Sequence, residues 1–195
     1  MITNPYIAEF IGTAILLFLG NGIVANVSLN KTKASKQMTP WILITTAWGL
    51  AVFTAAVITD GLNVSGGAHL NPAVTLGLAF AGKFSTELIC GYIISQLLGG
   101  IFGGWLVYII YIDHYRETSD ESSVMGTFCT SPAIRNYKNN FFSELMGTFV
   151  LVFGVLYMAK PNIIIEGTSV ENFGIGALEA LPVGLLVWVI GLSLG

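Results

Sequence analysis

Ser65-Gly66-Gly67-Ala68-His69-Leu70-Asn71-Pro72-Ala73 interrupts a chain that otherwise reads as if built for lipid. Pro72 suits the first position of a helix, where its missing N–H would have had no partner, and Asn71 is a preferred N-cap. The stretch therefore predicts a helix starting after Asn71. The glycines before it leave irregular backbone whose carbonyls cannot all pair within a helix. Such backbone survives at membrane depth only where it is buried in protein or lines a water-filled cavity. The pattern is that of a pore or substrate site.

Outward from this stretch, the composition sets the environment. Of 195 residues, 54% are hydrophobic and 10% charged, against about 25% charged in ordinary soluble domains. The mean hydropathy is +0.76. A net charge of −3 with no basic stripe argues against nucleic acid as a partner. Cys90 and Cys129 have no metal-ligand or CxxC spacing and read as packing or incidental residues. No metal, cofactor or catalytic constellation is expected, and nothing in the chain marks an enzyme. Met1 is followed by no basic region or cleavage signal, so the first apolar run reads as a retained span.

A spanning helix needs about 20 mostly apolar residues. Five stretches meet this: Tyr6 to Val27, Pro40 to Thr59, Thr86 to Ile112, Phe141 to Ala159 and Phe173 to Leu194. The stretch from Pro72 to Ala81 is too short to cross and reads as a half-helix. Asn30 to Thr39, Asp113 to Asn140 and Lys160 to Asn172 are linkers, the second carrying a charge cluster expected to be a solvated loop. Gly99, Gly100, Gly103 and Gly104 form two overlapping GxxxG pairs, and Gly191 with Gly195 a third; in membranes such small residues let helices approach closely.

The chain also repeats itself. Ala8-Glu9-Phe10-Ile11-Gly12-Thr13-Ala14-Ile15-Leu16-Leu17-Phe18 parallels Ser143-Glu144-Leu145-Met146-Gly147-Thr148-Phe149-Val150-Leu151-Val152-Phe153, with Glu, Gly, Thr and the last Phe in register. An odd number of crossings separates the copies, which makes them an inverted repeat, about 6–112 and 141–195 within one domain over 1–195. Glu9 and Glu144 fall at the same place in the two copies, and an intramembrane acid is by default functional; the alternative is an acid snorkelling to the interface.

These residues together resemble the aquaporin or major intrinsic protein family: Ala8-Glu9-Phe10-Ile11-Gly12-Thr13, Trp48-Gly49-Leu50, Ser65 through Thr75, and Ser143-Glu144-Leu145-Met146-Gly147-Thr148, in order along the whole chain. The resemblance implies an all-α integral membrane fold, a right-handed bundle with an inverted repeat and re-entrant half-helices meeting at the midplane. It implies one pore per subunit and a homotetramer in the plasma membrane with a cytoplasmic N-terminus. Six of the eight Lys and Arg residues then fall outside, against the positive-inside rule, and the motifs are taken as the stronger guide.

Within the resemblance, Asn71, Pro72 and Ala73 are the Asn-Pro-Ala motif, with Asn71 aiming its amide N–H groups into the pore. The carbonyls of Gly67, Ala68 and His69 form a ladder of acceptors, and Glu9 and Glu144 anchor the re-entrant loops. The His69 side chain is expected to pack rather than gate. Trp48 matches the position where glycerol-conducting members carry an aromatic wall, and Gly191 the position where water-selective members place a His. The segment Gly126 to Pro132 also resembles the glycerol branch. The expected solutes are glycerol and related small polyols, with water alongside, crossing the lipid bilayer passively. The alternatives are a water-selective member, an ion-coupled secondary transporter and a non-conducting truncated member. Five spans and one half-helix are present. The second half-helix, the filter arginine and the sixth span that the resemblance implies would follow Gly195, so these 195 residues alone are expected to insert without conducting.

Overall fold

The computed structural model describes residues 4–35, 38–62, 67–158, 162–163, 173–174 and 176–194. Ser65 and Gly66 of the opening stretch, most of the 160–172 linker and Gly195 lie outside the described residues. The helices are α1 (Pro5–Ser28), α2 (Pro40–Gly61), α3 (Pro72–Phe80), α4 (Ile89–Ile110, entered through a 3-10 turn at Thr86–Leu88), α5 (Ile112–Arg116), α6 (Glu121–Gly126), α7 (Tyr137–Tyr157) and α8 (Leu181–Leu194, entered through a 3-10 turn at Gly176–Ala180). Counting those two entry turns, five helices among the described residues are long and apolar enough to cross a membrane. The nine-residue α3 is not.

Two expected span boundaries move and one expected loop gains helices, each for a local reason. The fourth span begins at Tyr137 rather than Phe141, because Asn136 caps it by accepting from the Asn139 N–H while its own N–H donates to Asn140 Oδ1. Phe173 does not open the fifth span. It pairs in a two-residue antiparallel ladder, β1 (Asn162–Ile163) with β2 (Phe173–Gly174), and helix begins only after Gly176 takes φ +60°. The 113–140 linker is more than a solvated loop: it holds α5 and α6, with Asp120 capping α6 by accepting from the Ser123 N–H at 2.9 Å. Thr118 and Thr127 are buried, while Asp113, Arg116, Glu117 and Asp120 stay exposed. Hydroxyl and amide donors from Ser122 and Ser123 hold the Asp120 carboxyl down at about 2. The Lys31 ammonium paired with Glu117 holds that carboxyl below its usual range and joins the α1 end to α5.

α1 packs most extensively on α4, then on α2, and α2 packs on α8. The α1–α4 crossing is made by one of the two expected glycine pairs. A Cβ on Gly99 would meet the Phe10 carbonyl oxygen at 2.4 Å, and one on Gly103 the Ala14 carbonyl at 2.4 Å, whereas Gly100 has nothing nearer than Leu17 Cγ at 3.8 Å. At the α2–α8 crossing, a Cβ on Gly49 would lie 2.8 Å from the Gly184 carbonyl and one on Gly184 2.8 Å from the Gly49 carbonyl. Phe53 flanks one glycine and Trp188 the other. Both pairs are 135 positions apart, the spacing of Glu9 and Glu144. Such reciprocity is what a two-fold relation between repeats produces, and it extends the repeat into a span where the sequence similarity is too thin to read.

Candidate functional site

Asn71 opens α3 in extended backbone, φ −155° and ψ 126°, and its Oδ1 accepts from the Ala73 N–H at 2.8 Å. With Oδ1 used as the cap, the amide Nδ2 is the end left for a ligand. Pro72 stands in the first turn, and the Thr75 N–H closes the first helical bond onto the Asn71 carbonyl at 3.0 Å. The approach to the cap is strained. Gly67 takes φ +75°, which glycine accepts freely, but Leu70 takes φ +54°, which a branched side chain resists.

Glu9 offsets that cost. It is fully buried on α1, its Oε1 accepting from the His69 N–H at 2.7 Å and its Oε2 from the Leu70 N–H at 2.8 Å. Gln96 on α4 adds a third donor, Nε2 to Glu9 Oε2 at 2.7 Å, and the same nitrogen lies 2.9 Å from Thr75 Oγ1. The Thr75 hydroxyl donates to the Asn71 carbonyl at 3.1 Å and shares a 3.1 Å bond with His69 Nδ1. The His69 ring packs against Phe84 at 4.5 Å and Tyr92 at 4.9 Å between centroids, as a packing residue would. Residues from α1, α3 and α4 thus hold three consecutive residues, His69 to Asn71, in one shape. A buried carboxylate is tolerable when charge-assisted donors surround it.

Sequence reasoning missed Gln96 and gave Thr75 no role. The available signal was a carboxamide inside an apolar span, expensive in lipid unless it has a partner.

Two cavities meet at the cap. One, of about 740 Å³, is lined by Gly67 through Asn71, by apolar side chains of α2, α7 and α8 that include Val52, Val155 and Val183, and by the acids Asp60 and Glu179. The other, of about 710 Å³ and more open, lies between α1 and α4 and is lined by Trp48, Thr13, Gln96 and Gly100 among others. Leu16, Leu70 and Asn71 border both. Thr13 Oγ1 and Gln96 Oε1, on the walls of the second, are buried with no hydrogen-bond partner among the described residues.

The remaining expected residues are placed less centrally. Trp48 lines the α1–α4 cavity and its ring covers Gly20. Gly191 borders neither cavity; a Cβ on it would meet Thr45 Cγ2 at 3.0 Å, one turn from Trp48 on α2, and its carbonyl accepts from Trp41 Nε1 at 3.1 Å. Glu144 is exposed on α7 with no hydrogen bond to another described residue.

The sequence matches the major intrinsic protein model over residues 2–195. The chain belongs to the major intrinsic protein family. Members of this family are integral membrane channels rather than enzymes. Among relatives, this major intrinsic protein is 46% identical to a probable glycerol uptake facilitator protein of Thermotoga maritima, over 98% of this chain and 75% of that one. It is 44% identical to glycerol uptake facilitator protein 3 of Lactiplantibacillus plantarum, over 97% of this chain and 72% of the relative. Its fold matches the crystal structure of the aquaglyceroporin from Plasmodium falciparum with a TM-score of 0.75 at 32% identity, over 97% of this chain and 72% of that one. The all-α, aquaporin-like bundle expected from the motifs is therefore the fold observed.

Proposed function

We infer that this protein is a passive channel for glycerol and related small neutral polyols, with water alongside. The observation that carries the reading is one cavity lined both by the strip Gly67 to Asn71 and by apolar side chains of α2, α7 and α8. A polyol is polar along its hydroxyls and apolar along its carbon backbone, and this cross-section suits both edges at once. Asn71 Nδ2 donates to a passing hydroxyl, the carbonyls of Gly67, Ala68 and His69 accept from it, and the positive end of the α3 dipole opposes cations. Glu9, with Gln96 and Thr75, holds that strip rigid, so the solute meets preformed partners. Trp48 bounds the solute path on the other side of Asn71, and Gly191, which borders neither cavity, contributes only by lacking a bulky side chain there. The α1–α4 cavity, with the orphaned Thr13 and Gln96 oxygens on its walls, is the seat for a second half-helix, whose loop Glu144 anchors. Four subunits assemble in the plasma membrane with the N-termini in the cytoplasm.

The test is glycerol entry into vesicles. Protein expressed from its complete gene and reconstituted should give rapid reswelling, seen as a second light-scattering phase after a glycerol gradient is imposed. Uptake should rise linearly with moderate glycerol concentration and ignore ion gradients. Fast water flow without glycerol entry would replace the reading with a water-only pore, and saturable, ion-dependent uptake with a transporter.

Glu144 supplies a second check. Glu144→Ala should lower the thermal midpoint of the same protein in detergent by the cost of unpaired buried donors, about 1–3 kcal/mol, and Glu144→Gln should lose less because it keeps one acceptor. A midpoint unchanged by Glu144→Ala would mean that this acid only reaches toward the interface.

A further inference from the structure

Lys83 follows the half-helix directly, after Gly82 has turned the chain at φ +69°. It reaches across to another element. Its Nζ donates to the Leu156 carbonyl at 2.6 Å, in the last turn of α7, and stands 5.5 Å from the centroid of the Tyr157 ring. Phe84, the next residue, packs against the His69 and Tyr92 rings. Three consecutive residues therefore tie the end of α3 both to the strip behind Asn71 and to the end of α7.

The tie bears on the cavity because α7 forms part of its wall through Leu151, Val155 and Met158, the last just beyond the carbonyl that Lys83 holds. Among the described residues α7 touches the rest of the bundle chiefly through α8 and α3. A cation on a terminal carbonyl is favoured by the helix dipole as well as by the hydrogen bond, and the cation–ring contact adds to it. We propose that Lys83 is a positioning residue that sets the separation of α7 from the half-helix, and so the width of the cavity and the size of solute it admits. Lys83 touches no solute itself. The inference rests on the channel reading above.

The experiment compares glycerol with the four-carbon polyol erythritol in vesicles holding the parent protein, Lys83→Met or Lys83→Arg at matched abundance. Lys83→Met keeps the stem and loses the donor and charge, so the erythritol-to-glycerol permeability ratio should rise by about two- to fivefold, the factor matching a cation's usual effect at a helix C-terminus. Lys83→Arg should restore the parent ratio, since a guanidinium can still reach the carbonyl. Where Lys83→Met does not accumulate, Tyr157→Leu, which removes only the ring, should move the ratio the same way by less. A parent ratio in whichever of these variants accumulates overturns the inference while leaving the channel reading intact. Parent vesicles that admit neither solute overturn both.

Discussion

Replacing Glu9 with alanine is expected to abolish glycerol entry and to lower the thermal midpoint of the protein in detergent by several degrees. The carboxylate accepts from the His69 and Leu70 N–H groups and from Gln96 Nε2. Alanine leaves both backbone donors buried without an acceptor, at about 1–3 kcal/mol each, while Gln96 Nε2 retains Thr75 Oγ1. The loss also removes what holds Leu70 at φ +54°, a conformation costing about 1–3 kcal/mol when unsupported. The strip should then relax and its carbonyls turn away from the cavity. Glu9→Gln keeps one acceptor for two backbone donors and should fall between the two. Glycerol influx and a thermal midpoint for Glu9→Ala equal to those of the parent would show that the strip holds itself.

The second large effect is expected at Gly103. A methyl group there would sit 2.4 Å from the Ala14 carbonyl oxygen and 3.0 Å from the Phe18 nitrogen, both backbone atoms of the neighbouring helix. Neither can swing aside, so α1 and α4 must separate along their largest contact. Overpacking of this kind costs about 1–3 kcal/mol and occasionally more, which outweighs the gain of about 1 kcal/mol from placing alanine rather than glycine in a helix. Gly103→Ala should therefore be destabilising and Gly103→Val more so. Gly22→Ala on α1 is the control. Its new methyl would find nothing within 4 Å, so the propensity gain should win and stability should hold or rise. Thermal unfolding in detergent reads all three, and a Gly103→Val protein as stable as the parent would sink the argument.

The two crossings show how far sequence reasoning reaches. Two overlapping GxxxG pairs on α4 mark a packing face, but nothing in their spacing says that Gly99 and Gly103 meet backbone while Gly100 and Gly104 face side chains or open space. That choice depends on how α4 is rotated against α1. The Gly49–Gly184 crossing was not legible either, since its only signal is the shared spacing of 135 positions with the acidic repeat, and single glycines are too common for that to stand out. Gln96 was hidden similarly. Its amide matters because α4 brings it to Glu9, 87 positions away in sequence.

What the amino-acid sequence determined alone was local or compositional. Length and apolarity set the five spans to within a few residues, because crossing a bilayer has a fixed length requirement. Asn71 and Pro72 set the start of the half-helix, because capping and the missing proline N–H act within one turn. The exceptions were also local: the Asn136 cap and the positive φ of Gly176 moved two boundaries, and Asp120 turned part of a loop into a helix. Only the tertiary structure decided how the irregular strip is held and where it faces. Its donors are satisfied by Glu9 from another helix, its strained residue is not a glycine, and the cavity it lines exists only because α2, α7 and α8 supply the apolar side chains that complete it. Hydrogen bonds and cavities between elements depend on how helices are placed against one another, and that placement comes from packing summed over the whole bundle, which no local stretch of sequence encodes.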